Sequence, residues 1–138
     1  MTPRYLLDTN ICIYLMKNHP PEIAARFAQC YVGEVVLSAV TYAELEYGVV
    51  GSGERQSQNR AALDALIGDI PVVPFDVAAG RAYGPVRFAT RDRRRDALDK
   101  LIAAHARALD VTLVTNNLSD FQHYPGLRLE NWVTAHQA

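Results

Sequence analysis

Four acidic residues stand where strands of an α/β protein would give way to helices. Asp8 follows the apolar run "RYLL", and Glu44 lies in "SAVTYAELEYG", after the run "EVVLS". Asp99 opens "LDKLIAAHARAL", and Asp120 falls just past "VTLVT" in "VTNNLSDF". If these strands run parallel in one sheet, the four carboxylates can face a single crevice beyond the strands' carboxyl ends. Crowded carboxylates repel one another and tend to protonate unless a cation neutralises them. A set of hard oxygen donors with no accompanying His or Cys cluster favours Mg²⁺ or Mn²⁺ over Zn²⁺. A divalent ion held in this way lowers the pKa of bound water and orients it as a nucleophile.

Each carboxylate also has a structural reading. Asp8 can cap the following helix or close a turn with Thr9. In "TYAE", Thr41 and Glu44 have the spacing of a capping box with Thr41 as N-cap. Asp96 lies three residues before Asp99 on nearly the same helix face, and either can serve as a first-turn charge on the helix dipole. Asp120 can be an ordinary loop carboxylate. The metal reading therefore rests on the four together.

Other groups carry less chemistry. His105 shares a helical face with Leu98, Leu101 and Ile102, which predicts a core or boundary histidine. His19, His123 and His136 lack metal spacing, and Ser38 lacks a nucleophile-elbow context. Cys12 and Cys30 lie in apolar helical pattern and read as buried free thiols in a reducing compartment. The formal net charge is −1, yet Arg91, Arg93, Arg94 and Arg95 fall within five positions, with Arg87 a helical turn earlier. This cluster is expected to contact nucleic-acid phosphates and so position a strand without reading its sequence, the alternatives being a solvated helix face or a contact for a protein partner.

The elements that must position these groups can be read from periodicity. Asn10 is expected to cap a helix through "ICIYLMK" that stops before Pro20 and Pro21, and a short helix follows over about 22–30. "EVVLS" reads as a strand, "TYAELEYGVV" as a helix broken at Gly51 and Gly53, and "RQSQNRAALDALIG" as an amphipathic helix closed by Gly68. "PVVPF" is a third strand, and Asp76 caps a helix through "VAAGRAYGPVRFATR". After the helix "LDKLIAAHARAL" come a fourth strand, "VTLVT", and a fifth, "LRLENW". Strands apolar on both faces and alternating with helices predict a three-layer α/β/α sandwich around a mainly parallel five-stranded sheet. A length of 138 residues with 49% hydrophobic and 21% charged residues predicts one globular domain over 1–138. The absence of a long apolar run argues against a membrane span or secretory leader and for the cytoplasm.

Taken in order, the motifs resemble those of the PIN-domain ribonuclease toxins of the VapC type. "LLDTNICIYLMK" is similar to their first motif, "SAVTYAELEYG" to the second, "LDKLIAAHARALDVTLVTNNLSDF" to the third and fourth, and "GLRLENW" to their usual ending. The resemblance covers nearly the whole chain. It implies an α/β/α fold, Mg²⁺ or Mn²⁺ dependence, RNA cleavage, and pairing with a small VapB-like antitoxin in homodimeric and hetero-oligomeric assemblies. It assigns the catalytic and metal-binding roles to Asp8, Glu44, Asp99 and Asp120, choosing Asp99 over Asp96. Asn10, Thr115 and Asn117 become supporting neighbours. One departure is visible: "RDRRRDAL" replaces the Gly and Pro segment that many relatives have before the third-motif aspartate, so the preceding helix is free to run on.

Two other classes compete. In a phosphoaspartyl phosphatase or receiver-like domain, Asp8 would be the nucleophile or phosphoacceptor, but the phosphatase pattern wants a second aspartate where Asn10 stands. In a catalytically idle RNA- or antitoxin-binding scaffold, the four carboxylates would be retained only at a cost in stability.

Overall fold

Every strand of the computed structural model, which describes residues 2–134, is parallel to its neighbours. The strands are β1 (Tyr5–Leu7), β2 (Val35–Ser38), β3 (Val72–Val73), β4 (Thr112–Val114) and β5 (Arg128–Glu130), in the order β3-β2-β1-β4-β5. Pairing runs Tyr5 to Val35 and Thr112, and Leu7 to Val114. The winding proceeds from β1 outward to β3, then returns to the other side of β1 at β4. The boundary between β1 and β4 is therefore the switch point at which crevices open in doubly wound sheets.

Alternation along the strands divides the core in two. Tyr5, Leu7, Val35, Leu37 and Val114 pack into one cluster. Leu6, Val36 and Leu113, one residue out of phase, pack into the other. The first cluster is covered by α1 (Thr9–Lys17), α2 (Pro21–Phe27), α3 (Ala39–Val50) and α4 (Gln56–Asp69). The second is covered by α5 (Val77–Ala89), α6 (Ala97–Leu109) and the short α7 (Leu118–Phe121). This is the expected α/β/α arrangement, and full burial of β1 and β2 on both faces accounts for their apolar runs.

The helix termini revise three expectations. Asp8, not Asn10, caps α1: its Oδ1 accepts the Ile11 amide at 3.0 Å, because Asp8 alone separates the last strand residue, Leu7, from the first helical one, Thr9. Ser38, not Thr41, caps α3 by accepting the Val40 amide. Thr41 instead lies within that helix, fully buried, and its hydroxyl has no hydrogen-bond partner. The capping box is therefore not formed, and Glu44 is left free of that role. The helix before the third motif does not run on through "RDRRRDAL": α5 ends at Ala89, Thr90 turns its hydroxyl back onto the Val86 carbonyl, and α6 starts at Ala97. Asp76 caps α5 as expected, accepting from the Ala79 amide. Among the described residues, no helix is long and apolar enough to cross a membrane. His136 lies outside the described residues.

Candidate active site

The first carboxylate is fixed by strand geometry. The Asp8 amide donates to the Val114 carbonyl at 3.0 Å, extending the β1–β4 ladder by one step. The side chain thus emerges at the switch point, where it is only 5% exposed. Burial raises the pKa of Asp8, and donation from the Thr115 hydroxyl and from the Ile11 and Asn10 amides offsets part of that rise. The predicted support from Asn10 thus comes from its backbone, while the Asn10 side chain is exposed. Thr115 is fully buried just past β4, and its Oγ1 also accepts the Asn117 amide at 2.9 Å.

Asp99, in the first turn of α6, completes the core of the site. Its pKa is pushed up to about 6, chiefly by burial and then by the charges of Asp96, Asp8 and Asp120, with Arg93 acting in the opposite sense. The fold thus brings Asp8, Asp99 and Asp120, three of the four carboxylates expected to share a crevice, into one electrostatic neighbourhood and adds Asp96 to it, while Glu44 is not among the charges that act on Asp99. The two helix-start aspartates differ in their partners. Asp96 Oδ2 accepts from Arg93 Nε at 2.8 Å and from the Tyr124 hydroxyl at 3.5 Å. Asp120 accepts from Asn117 Nδ2 at 2.7 Å and from Arg93 Nη2 at 3.4 Å. Tyr124 is held in its neutral form by burial and by the charges of Asp96 and Asp99.

Glu44 lies in α3. It is half-buried and lines a cavity of about 330 Å³ together with Thr9, Ile13, Met16 and Tyr47. It also lines a shallow depression against Leu98. Each lining includes a chain neighbour of another candidate carboxylate: Thr9 follows Asp8, and Leu98 precedes Asp99. The apolar cavity lies between α1, α3 and α4, and beside it Tyr47 and Val50 are largely exposed.

The arginine cluster is not uniform. Arg91, Arg94 and Arg95 are exposed, and the Arg91 guanidinium lies over the Phe88 ring at 4.4 Å. Arg93 turns inward to Asp96 and Asp120 instead. Sequence reasoning missed Lys100, whose buried ammonium donates to the Thr90 and Arg93 carbonyls and so clamps the turn that delivers Arg93. The one available signal was its helical register with the core residues Ala103 and Ala104. His105 is a core residue as expected, with Nδ1 2.7 Å from the Ser38 hydroxyl and an edge contact to Phe75.

Among the described residues, no three His, Cys, Asp or Glu side chains close into a ready-made metal cage. The donor chemistry nevertheless fits a hard divalent cation. Asp99 lies among three other aspartates with Arg93 as its moderating cation, and such an oxygen-rich, charge-deficient group is one that Mg²⁺ or Mn²⁺ would relieve.

The PIN domain profile matches residues 5–127. The chain is 37% identical over 131 residues to the tRNA(fMet)-specific endonuclease VapC of Shigella flexneri, covering 94% of this chain and 98% of that protein. It is 35% identical over 133 residues to Ribonuclease VapC2 of Rickettsia felis, covering 93% and 97% of the two chains. Its fold superimposes on DNA-bound VapBC from Salmonella typhimurium with a TM-score of 0.87 at 33% identity, over 95% of this chain and 99% of that one.

Proposed function

Because this chain belongs to the PIN-domain family and is related along nearly its whole length to VapC ribonucleases, we propose that it is a divalent-metal-dependent endoribonuclease, the toxin of a toxin–antitoxin pair. The observation that carries the reading is the electrostatic neighbourhood that Asp99 shares with Asp8, Asp96 and Asp120, with Asp8 fixed at the β1–β4 switch point.

Asp8 and Asp99 are the residues we assign to hold Mg²⁺ or Mn²⁺, with Glu44 and Asp120 ligating directly or through water. When bound, such an ion activates water and stabilises charge on the phosphodiester. Asp8 is oriented for this task by its three donors, and Asp120 is oriented by Asn117. Arg91, Arg94 and Arg95 supply exposed positive charge for the RNA backbone, which positions a strand without reading its sequence. A structured RNA such as a tRNA is the substrate class, in keeping with the name of the Shigella relative. The apolar cavity between α1, α3 and α4 suits the apolar face of a VapB-like antitoxin helix, whose basic flank would enter the acidic crevice. Assembly into a homodimer and a toxin–antitoxin hetero-oligomer in the cytoplasm completes the reading.

The decisive experiment concerns the attacking oxygen. Attack by the RNA's own 2′-hydroxyl calls for a base and an acid such as a histidine pair, and His105 is enclosed by Ser38 and Phe75. Water is therefore the expected nucleophile, and products should carry 5′-phosphate and 3′-hydroxyl ends. An RNA with one 2′-deoxy substitution at the cleaved nucleotide should still be cut in Mg²⁺. Products ending in 2′,3′-cyclic phosphate would defeat the reading.

A further inference from the structure

The acidic crevice has a cation of the protein's own beside it. Arg93 leaves the turn between α5 and α6 with Nε 2.8 Å from Asp96 Oδ2 and Nη2 3.4 Å from Asp120 Oδ1. It thereby ties the residue that precedes α6 to the one that lies within α7. Its backbone is held at the same time: its amide donates to the Thr90 carbonyl at 2.9 Å, and the buried ammonium of Lys100 donates to the carbonyls of both Thr90 and Arg93. A long side chain loses considerable rotamer freedom when pinned at a surface. A fixed root reduces that loss, and a planar guanidinium can serve two carboxylates at once. The charge of Lys100 is directed to carbonyl oxygens, and Arg91, Arg94 and Arg95 are exposed. Arg93 is thus the arginine of its cluster that turns inward to the aspartates.

We propose that Arg93 is a resident counter-cation of the crevice: it neutralises Asp96 and Asp120 when no divalent ion is bound, and it competes with that ion, so that it sets the metal affinity of the site. This inference rests on the metal-site reading above and assigns Arg93 a role different from that of the exposed arginines around it. Removing a cation near a carboxylate cluster makes the cluster a stronger ligand and a less stable one when empty. An opposite charge a few ångströms away is worth at least about one pK unit, or about tenfold, on a carboxylate. Solvent screening of the half-buried Arg93 lowers this to roughly three- to tenfold.

The test is calorimetric titration of the RNA-free protein with Mn²⁺, paired with thermal melts with and without the ion. Arg93→Gln should bind Mn²⁺ roughly three- to tenfold more tightly. It should melt below wild type when metal-free and recover most of that deficit at saturating Mn²⁺. Arg93→Lys, which keeps the charge, should lie near wild type in Mn²⁺ affinity. A purely RNA-contacting arginine would leave Mn²⁺ affinity unchanged, and a purely structural one would weaken it, and either result overturns the proposal. Should Arg93→Gln fold only when Mn²⁺ is present, the proposal stands, and failure to fold even at saturating Mn²⁺ counts against it. A wild-type protein that binds no Mn²⁺ would instead overturn the metal-site reading itself.

Discussion

The Thr115 hydroxyl donates to the Asp8 carboxylate across the β1–β4 boundary, joining the residue just past β4 to the one just past β1. Both side chains are buried, so this hydrogen bond lies where water cannot replace it. A buried carboxylate deprived of a donor bears a desolvation cost of about 1–3 kcal/mol.

Thr115→Val preserves the shape of that side chain and removes its hydroxyl. The expected outcome is a loss of about 1–3 kcal/mol in stability and a further rise in the pKa of Asp8, and hence a larger loss of Mn²⁺ affinity than wild type between neutral pH and about pH 5. Thermal denaturation and Mn²⁺ titration at the two pH values check this. An unchanged variant would show that Thr115 does not support the site.

Asp8 has two separable duties, capping α1 and holding charge at the switch point. Asp8→Asn keeps a capable N-cap and should retain the fold, with metal-free stability equal to or above wild type, while RNA cleavage is abolished. Asp8→Ala should abolish cleavage and also cost about 1 kcal/mol of stability, since the Ile11 amide then has no cap. If Asp8→Asn still cut RNA at saturating Mg²⁺, the metal role of Asp8 would be wrong.

Asp99 makes stability depend on pH in a defined direction. Its folded pKa of about 6 exceeds the ordinary 3.8, so the folded protein binds the extra proton between those values. Stability therefore falls as pH rises through that window, and the penalty persists above pH 6. Asp99→Asn should match wild type near pH 4 and exceed it by about 1 kcal/mol at pH 7.5 without metal, after allowance for solvent screening. His105, whose pKa burial lowers, is present in both proteins and drops out of the difference. Wild-type Mn²⁺ affinity should also fall as pH drops below about 6, because the ion must displace that proton. Parallel stability curves for the two proteins would remove Asp99 from the cluster.

The exposed arginines should govern RNA affinity through charge alone. Replacing Arg91, Arg94 and Arg95 with Ala is expected to weaken binding of unrelated RNA sequences to a similar degree, while Mn²⁺ affinity stays near wild type. The slope of log affinity against log salt should become shallower by about 0.7 for each single-strand phosphate that is no longer neutralised. An unaltered slope would return these residues to ordinary solvated surface.

Much of this organisation was legible before folding. The unbroken apolar strands demanded a sheet covered on both faces, the position of Asp8 at the end of the first strand demanded an explanation beyond packing, and Asp76 announced its helix. These features survive because strand runs, and the cap at Asp76, are set by nearest neighbours along the chain. Helix starts were less secure: Thr41 and Glu44 have the spacing of a capping box, but Ser38 takes the cap three residues earlier, because β2 ends there. The partners of Asp96, Asp120 and Lys100 were invisible, since each depends on how a turn is placed over the sheet and no local pattern encodes that placement. A row of arginines in sequence carries one sign of charge, and only the tertiary structure separates Arg93, drawn into the carboxylates on a turn clamped by Lys100, from neighbours that remain in solvent. Sequence determined which charges and strands the protein has. Packing of α5, α6 and α7 against the far side of the sheet decided which of those charges meet.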